Sequence, residues 1–152
     1  MKRTNKRQEI IQVGSEIIVQ QGFNAASIND VLAKAGVPKG SFYYYFSSKE
    51  NFGLAIIDDF ASQYQKKLEH LLEDREGSPL TRMRSFFETK IADMENCQCS
   101  DGCLIGNLAQ ELSAQNEMFR DRLNQIFADW EQYFAKCLYA AHEAGKIDKN
   151  SN

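Results

Sequence analysis

Between Lys39 and Phe52 the chain reads Lys-Gly-Ser-Phe-Tyr-Tyr-Tyr-Phe-Ser-Ser-Lys-Glu-Asn-Phe, which gathers ammonium, hydroxyl and phenol groups in one short run. Such groups donate hydrogen bonds to phosphate oxygens and to the polar edges of bases. Phe42 and Phe46 stand four residues apart and pack inward together, which leaves Lys39, Gly40, Ser41, Tyr43, Tyr44 and Tyr45 over the remaining faces. Successive helical positions differ by about 100°, so three consecutive tyrosines cannot all join one core stripe. At least one phenol must face outward, flanked by Lys39 and Lys49. Lys39 is placed to reach a guanine edge or a phosphate, and Gly40 lets the backbone approach a groove. Lys49 opens the next helix after Ser47-Ser48, where unsatisfied amides also favour an anion.

The second chemically active group is a set of three thiols within seven residues, Cys97, Cys99 and Cys103. Cys103 falls at a helix start, where backbone amides stabilise a thiolate and make it the most reactive of the three toward oxidants or electrophiles, although Asp101 opposes that effect. A plainer reading makes Cys103 a small buried hydrophobe and the others incidental surface thiols. C-x-C-x3-C is not a usual zinc spacing, and His70 and His142 lie far off, so no metal and no cofactor is expected. A small thiol oxidoreductase built on these cysteines is the competing function class. It lacks a C-x-x-C beside a βαβ pattern, a phosphate loop and a Ser/His/Asp constellation. A third class, a module acting through helix contacts alone, leaves the tyrosines and Lys39 unexplained.

The elements that hold these groups read as helices throughout. A first helix over Thr4 to Gln21 carries Ile10, Gly14, Ile17, Ile18 and Gln21 on one side and ends at Gly22. Ser27-Ile-Asn-Asp30 resembles a capping box, and Ile28, Val31, Leu32 and Ala35 follow at i, i+3, i+4, i+7. Gly36-Val37-Pro38 ends that helix and the next begins at Lys39, which makes a helix-turn-helix. A long fourth helix from Ser48 to about Asp74 carries Phe52, Ile56, Phe60 and Tyr64 as a lever from head to body. After a turn at Arg75 to Pro79, the helix from Leu80 to about Cys97 points Met83, Phe86, Phe87, Ile91 and Met94 inward. A short helix over Cys103 to Ser113 and a long one from Asn116 to about Gly145, with Phe119, Leu123, Phe127, Trp130, Phe134 and Leu138, complete the chain. The expected fold is all-α: an N-terminal three-helix head over residues 1–50 and a helical body over 51–152.

Charge divides along the same line. Through Glu50 there are seven basic and four acidic side chains, a net of +3, so the remainder carries −6 within the chain's overall −3. A basic head attracts a polyanion, while an acidic remainder discourages non-specific sticking. The Lys2-Arg3 and Lys6-Arg7 pairs form either a groove-reaching arm or a solvated start. With 152 residues and 43% hydrophobic content the chain can bury a real core. No apolar run reaches membrane-span length and no signal-peptide stretch opens the sequence, so a cytoplasmic protein with no membrane partner is expected.

From about Arg7 to Phe52 the sequence closely resembles the DNA-binding domain of TetR-type bacterial transcriptional regulators. The matching features are Gln21-Gly22-Phe23, Ser27-Ile28-x-Asp30-Val31, Ala35-Gly36-Val37 and Gly40-Ser41-Phe42-Tyr43-x-Tyr45-Phe46-x-Ser48-Lys49-Glu50. The resemblance implies a homodimeric repressor that presents two recognition helices to a palindromic double-stranded operator and lets go when a small molecule binds. Carried over by position, it makes Ser27, Tyr43, Tyr45 and Lys49 phosphate contacts, and turns Lys39, Gly40, Ser41 and Tyr44 toward base edges.

Gly102-Cys103-Leu104 and Gly106-Asn107-Leu108-Ala109-x-Glu111-Leu112 resemble one branch of that family, near repressors of reductases that detoxify electrophiles and with a cysteine at the Cys103 position. This implies thiol sensing at Cys103, with Cys97 and Cys99 beside it. For a non-covalent effector, the expected lining is Phe86, Phe87, Ile91, Met94, Leu108, Phe127, Trp130 and Tyr133, unless these are ordinary core. Family members continue through two more helices that form most of the dimer interface, so the chain is expected to be part of a longer protein.

Overall fold

A computed structural model describes residues 5–73, 76–97, 102–148 and 150–151. These residues form helices joined by short turns, with no strand among them. The elements are α1 (Lys6–Gln21), α2 (Ile28–Lys34), a 3-10 turn (Lys39–Ser41), α3 (Phe42–Tyr45), α4 (Lys49–Leu68), a π-helical turn (Glu69–Glu73), α5 (Pro79–Asn96), α6 (Leu104–Leu112) and α7 (Glu117–Glu143). Among the described residues no helix is long and apolar enough to cross a membrane.

The chain divides into two compact units. The described residues of Met1–Ala61 and Asp101–Leu123 form the first, and those of Ser62–Ser100 and Asn124–Asn152 the second.

In the first unit, α1 buries Ile10, Ile11, Ile17 and Ile18, and Gly14 lets α4 approach it closely. Gln21, expected on the inward side, is exposed at the last position of α1, where a polar side chain is solvated. Gly22 has φ +83°, a left-handed value that suits glycine, and its N–H closes the last turn on the Ile18 carbonyl at 2.8 Å. The Ser27 hydroxyl accepts the Asp30 N–H at 3.4 Å and so caps α2. Val31 and Leu32 are buried, and the chain reverses through Gly36-Val37-Pro38 as expected. The segment after Pro38 opens as a 3-10 turn rather than as a full α-helix from Lys39. At the heart of this unit Phe52 packs edge-on against Phe42 and Phe46, with ring centroids 5.8 and 4.8 Å away. On the other side Phe23 meets Phe119 edge-on at 5.0 Å.

In the second unit Ser78 caps α5 by accepting the Thr81 N–H at 3.3 Å, with Pro79 at the first helical position. Leu68, Leu71, Leu72, Phe86 and Cys137 form its core, with Tyr64, Met83, Trp130, Tyr133 and Phe134 packed around them. Three residues expected inward on α5 face solvent: Phe87 is 52% exposed, Ile91 57% and Met94 48%. Phe127 and Leu138 on α7 are likewise exposed. The apolar stripe of each helix is wider than the surface its described neighbours cover, so only its centre is buried.

Candidate nucleic-acid interface

The anchoring expected from the sequence is present. Phe42 and Phe46 are each 4% exposed, while Tyr43 is 78% and Tyr44 85% exposed. Tyr45 is half-buried and lies edge-on to Tyr44, with ring centroids 5.0 Å apart. Lys39 and Gly40 are exposed and Ser41 is half-buried in the 3-10 turn. The 3-10 turn, α3 and Phe46 just after it thus bury two rings and turn two phenols, an ammonium group and an open stretch of backbone outward.

The other cations of the head are partly committed. Lys34 pairs with Glu16 at 2.9 Å, Lys6 with Glu9, and the Arg7 guanidinium lies over the Phe46 ring at 5.0 Å. Lys39 makes no ion pair among the described residues, so its charge is available to a partner. Lys49 donates to the Asn24 carbonyl at 3.3 Å and sits over the Phe23 ring at 5.0 Å, which fixes its stem and leaves further N–H donors. Ser27 uses its oxygen as the α2 cap and keeps a hydroxyl proton to donate. The possible basic arm at Lys2-Arg3 lies outside the described residues.

Of the thiols, Cys103 is the residue before α6, exposed and extended, with its carbonyl accepting the Asn107 N–H at 2.8 Å. Its chain neighbours Gly102 and Leu104 line an open cleft of about 290 Å³ together with Ser15, Glu16, Val19, Gln20 and Phe60. Cys97 ends α5, half-exposed, and its Sγ–H donates to the Met94 carbonyl at 3.3 Å. Cys99 lies outside the described residues. Cys137 is 3% exposed, and burial pushes its thiol above the ordinary range.

The residues expected to line an effector pocket are not all gathered in one place. Phe86, Trp130 and Tyr133 meet in the second unit, where Phe87 and Phe127 flank them by ring contacts to Phe86 and Trp130 at 5.3 and 5.7 Å. Leu108 belongs to the first unit, buried on α6. Nearby, Glu69 accepts from Gln65 and from the Tyr133 hydroxyl, which hold its carboxyl below the usual range, while burial and that same partner push the Tyr133 phenol up.

One contact has no local signature in the sequence. Glu111 on α6 accepts the backbone N–H groups of Phe23 and Asn24, at 2.9 and 2.8 Å. Its only forewarning is its place in the Gly106-to-Leu112 block, because its partners lie almost ninety positions away.

A capped helix, a tight turn and a short helix that exposes donors define a DNA-binding helix-turn-helix protein. Comparison with known proteins gives its lineage. Residues 10–56 match the family described as "Bacterial regulatory proteins, tetR family", and residues 79–152 match "Tetracyclin repressor-like, C-terminal domain". The chain is 35% identical to the HTH-type transcriptional repressor DhaR of Mycobacterium sp. (strain GP1), covering 99% of this chain and 74% of DhaR. It is 34% identical to the HTH-type transcriptional repressor NemR of Escherichia coli K12, covering 72% of this chain and 53% of NemR. Among solved structures it superposes on the regulatory protein TetR from Rhodobacter sphaeroides with a TM-score of 0.87 at 32% identity, covering 95% of this chain and 76% of that one. The reduced form of E. coli NemR gives 0.85 at 28% identity, covering 92% and 72%. The chain belongs to the TetR family of bacterial transcriptional regulators. These relatives regulate transcription, and the thiol-oxidoreductase alternative finds no support in them.

Proposed function

We propose that this regulator represses transcription by binding a palindromic operator as a homodimer, and that an effector acting on the body releases it. Residues 1–50 read DNA and residues 51–152 bind the effector and the second copy. The observation that carries the reading is the outward projection of Lys39 from the 3-10 turn and of Tyr43 and Tyr44 from α3, with buried Phe42 at the start of α3 and buried Phe46 just after its end as anchors. Lys39, Gly40, Ser41 and Tyr44 face base edges, while Ser27, Tyr43, Tyr45 and Lys49 hold the phosphate backbone and set the register. The names of DhaR and NemR as repressors support the sign of the regulation. A protein working on chromosomal DNA belongs in the cytoplasm.

The effector is a reactive electrophile or oxidant that modifies Cys103, with Cys97 and Cys99 as partners for a switchable disulfide. An exposed thiol just ahead of α6, beside an open cleft, supports this. Release requires that modification favour a body arrangement that mis-spaces the heads relative to half-sites roughly 34 Å apart.

The test is a genomic-fragment pull-down followed by footprinting at stated salt, then repetition after treatment with a quinone, using Cys103→Ser as control. A protected palindrome that the quinone abolishes in the native chain but not in Cys103→Ser is expected. No sequence-specific protection would overturn the operator reading, and an unchanged quinone response in Cys103→Ser would overturn the sensing role.

A further inference from the structure

The turn between α1 and α2 is held from outside. Its two consecutive amides, Phe23 N–H and Asn24 N–H, both donate to the carboxylate of Glu111, at 2.9 and 2.8 Å. One turn further along, Gln115 accepts the Asn24 side-chain amide at 3.1 Å. Gly22 leaves room beside it: a Cβ there would stand 3.0 Å from Glu111 Oε2, so the carboxylate would have to give by a few tenths of an ångström. The same dipeptide is then used by α4: the Lys49 ammonium donates to the Asn24 carbonyl at 3.3 Å and rests over the Phe23 ring. A carboxylate taking two backbone N–H bonds is a strong, directional fastening, since hydrogen bonds to an ionised acceptor are shorter and roughly twice as strong as neutral ones. It grips a segment whose amides could otherwise be satisfied by water. The chain of contacts therefore runs Glu111, Phe23-Asn24, Lys49.

We propose that Glu111 is a positioning residue for DNA binding: by fixing the Phe23-Asn24 turn it fixes the carbonyl that holds Lys49 in place to meet a phosphate. This rests on the reading of Lys49 as a phosphate contact. Glu111 touches no DNA. It acts through a backbone turn, and it ties the aim of the head to α6, the helix that begins just after Cys103.

The readout that separates positioning from mere stabilisation is the salt dependence of DNA binding. Each phosphate neutralised by a cation contributes about 0.9 to the slope of log K against log salt. Wild type, Glu111→Ala, Glu111→Gln, Lys49→Gln and the Glu111→Ala/Lys49→Gln pair are titrated, well below their unfolding temperatures, with a duplex carrying the footprinted site and with a scrambled duplex. Amide hydrogen exchange at Phe23 and Asn24 is measured in parallel. The expected result is a slope shallower by about 0.9 per head in Glu111→Ala, no further change when Lys49→Gln is added, and a partial effect in Glu111→Gln, which keeps one acceptor oxygen. Exchange at both amides accelerates in Glu111→Ala. A lowered melting temperature with an unchanged slope would overturn the proposal, as would unchanged exchange at the two amides. Failure of the wild-type chain to bind either duplex would instead overturn the DNA-binding reading and take this proposal with it.

Discussion

The Cζ atom of Phe52 lies 2.3 Å from where a β-carbon on Gly14 would stand. Helices α1 and α4 thus touch through a bare backbone on one side and an aromatic edge on the other. The ring cannot swing away, because Phe52 is 2% exposed and wedged edge-on against Phe42 and Phe46. Gly14→Ala should therefore destabilise the chain by about 1–2 kcal/mol net, the cost of overpacking exceeding the helix-propensity gain of alanine. Urea unfolding checks this, and a midpoint equal to or above that of the native chain would show that the contact is looser than described.

Two tyrosines that differ in role should differ in phenotype. Tyr43→Phe, losing a phosphate donor, is expected to weaken binding to every duplex about equally, by about 0.5–1.5 kcal/mol. Tyr44→Phe should cost a similar amount on the operator and much less on scrambled DNA, because its phenol reads a base edge. Competition titrations with the two duplexes measure the difference. Equal losses in both variants on both duplexes would contradict the division of roles.

The head was largely legible because its signals are local. A serine three residues before an acidic residue, an i, i+3, i+4 apolar pattern and a Gly-x-Pro stop place α2 and its turn. The spacing of Phe42 and Phe46 sends Tyr44 out on the opposite face, but it puts Tyr43 and Tyr45 symmetrically on the flanks, and only the fold leaves Tyr43 exposed and Tyr45 half-buried. The body was legible as helices but not in how wide its buried faces are. Whether Phe87, Ile91 and Met94 are covered depends on which neighbours pack against α5, and periodicity carries no information about neighbours. The Glu111 clasp was invisible for a related reason: a lone glutamate in a helix reads as a solvated charge until the fold brings a distant turn to it.

The thiols should separate by exposure under a limiting maleimide. Cys103 is exposed and should label first, Cys97 more slowly, while Cys137, buried and held protonated by that burial, should label only on unfolding. Peptide mass mapping over time reads the order. Labelling of Cys137 as fast as Cys103 in the folded chain would contradict the packing of α7.

Acid should loosen the second unit. Hydrogen bonds from Gln65 and Tyr133 hold the Glu69 carboxyl below its ordinary value of 4.5, so its contribution is complete above that pH and is lost as pH falls through the folded value. The Tyr133 phenol is raised above its ordinary 10.0, chiefly by burial, so its contribution is present below that pH and is lost as pH rises through the folded value. Stability measured by urea midpoint should decline at both ends. Tyr133→Phe should make the acid decline shallower and abolish its own part of the alkaline one. An acid profile identical to that of the native chain would show that the Tyr133 to Glu69 bond does not persist in solution.

The central claim is that the short helix after Pro38 reads DNA sequence, and Lys39 tests it most directly. Affinities of the native chain and Lys39→Ala should be compared on the footprinted duplex and on a scrambled one, at a single stated salt concentration. The expected result is a loss of about 1–3 kcal/mol of discrimination between the two, with the variant remaining folded. Discrimination unchanged in Lys39→Ala would contradict the assignment of this helix as the reading element.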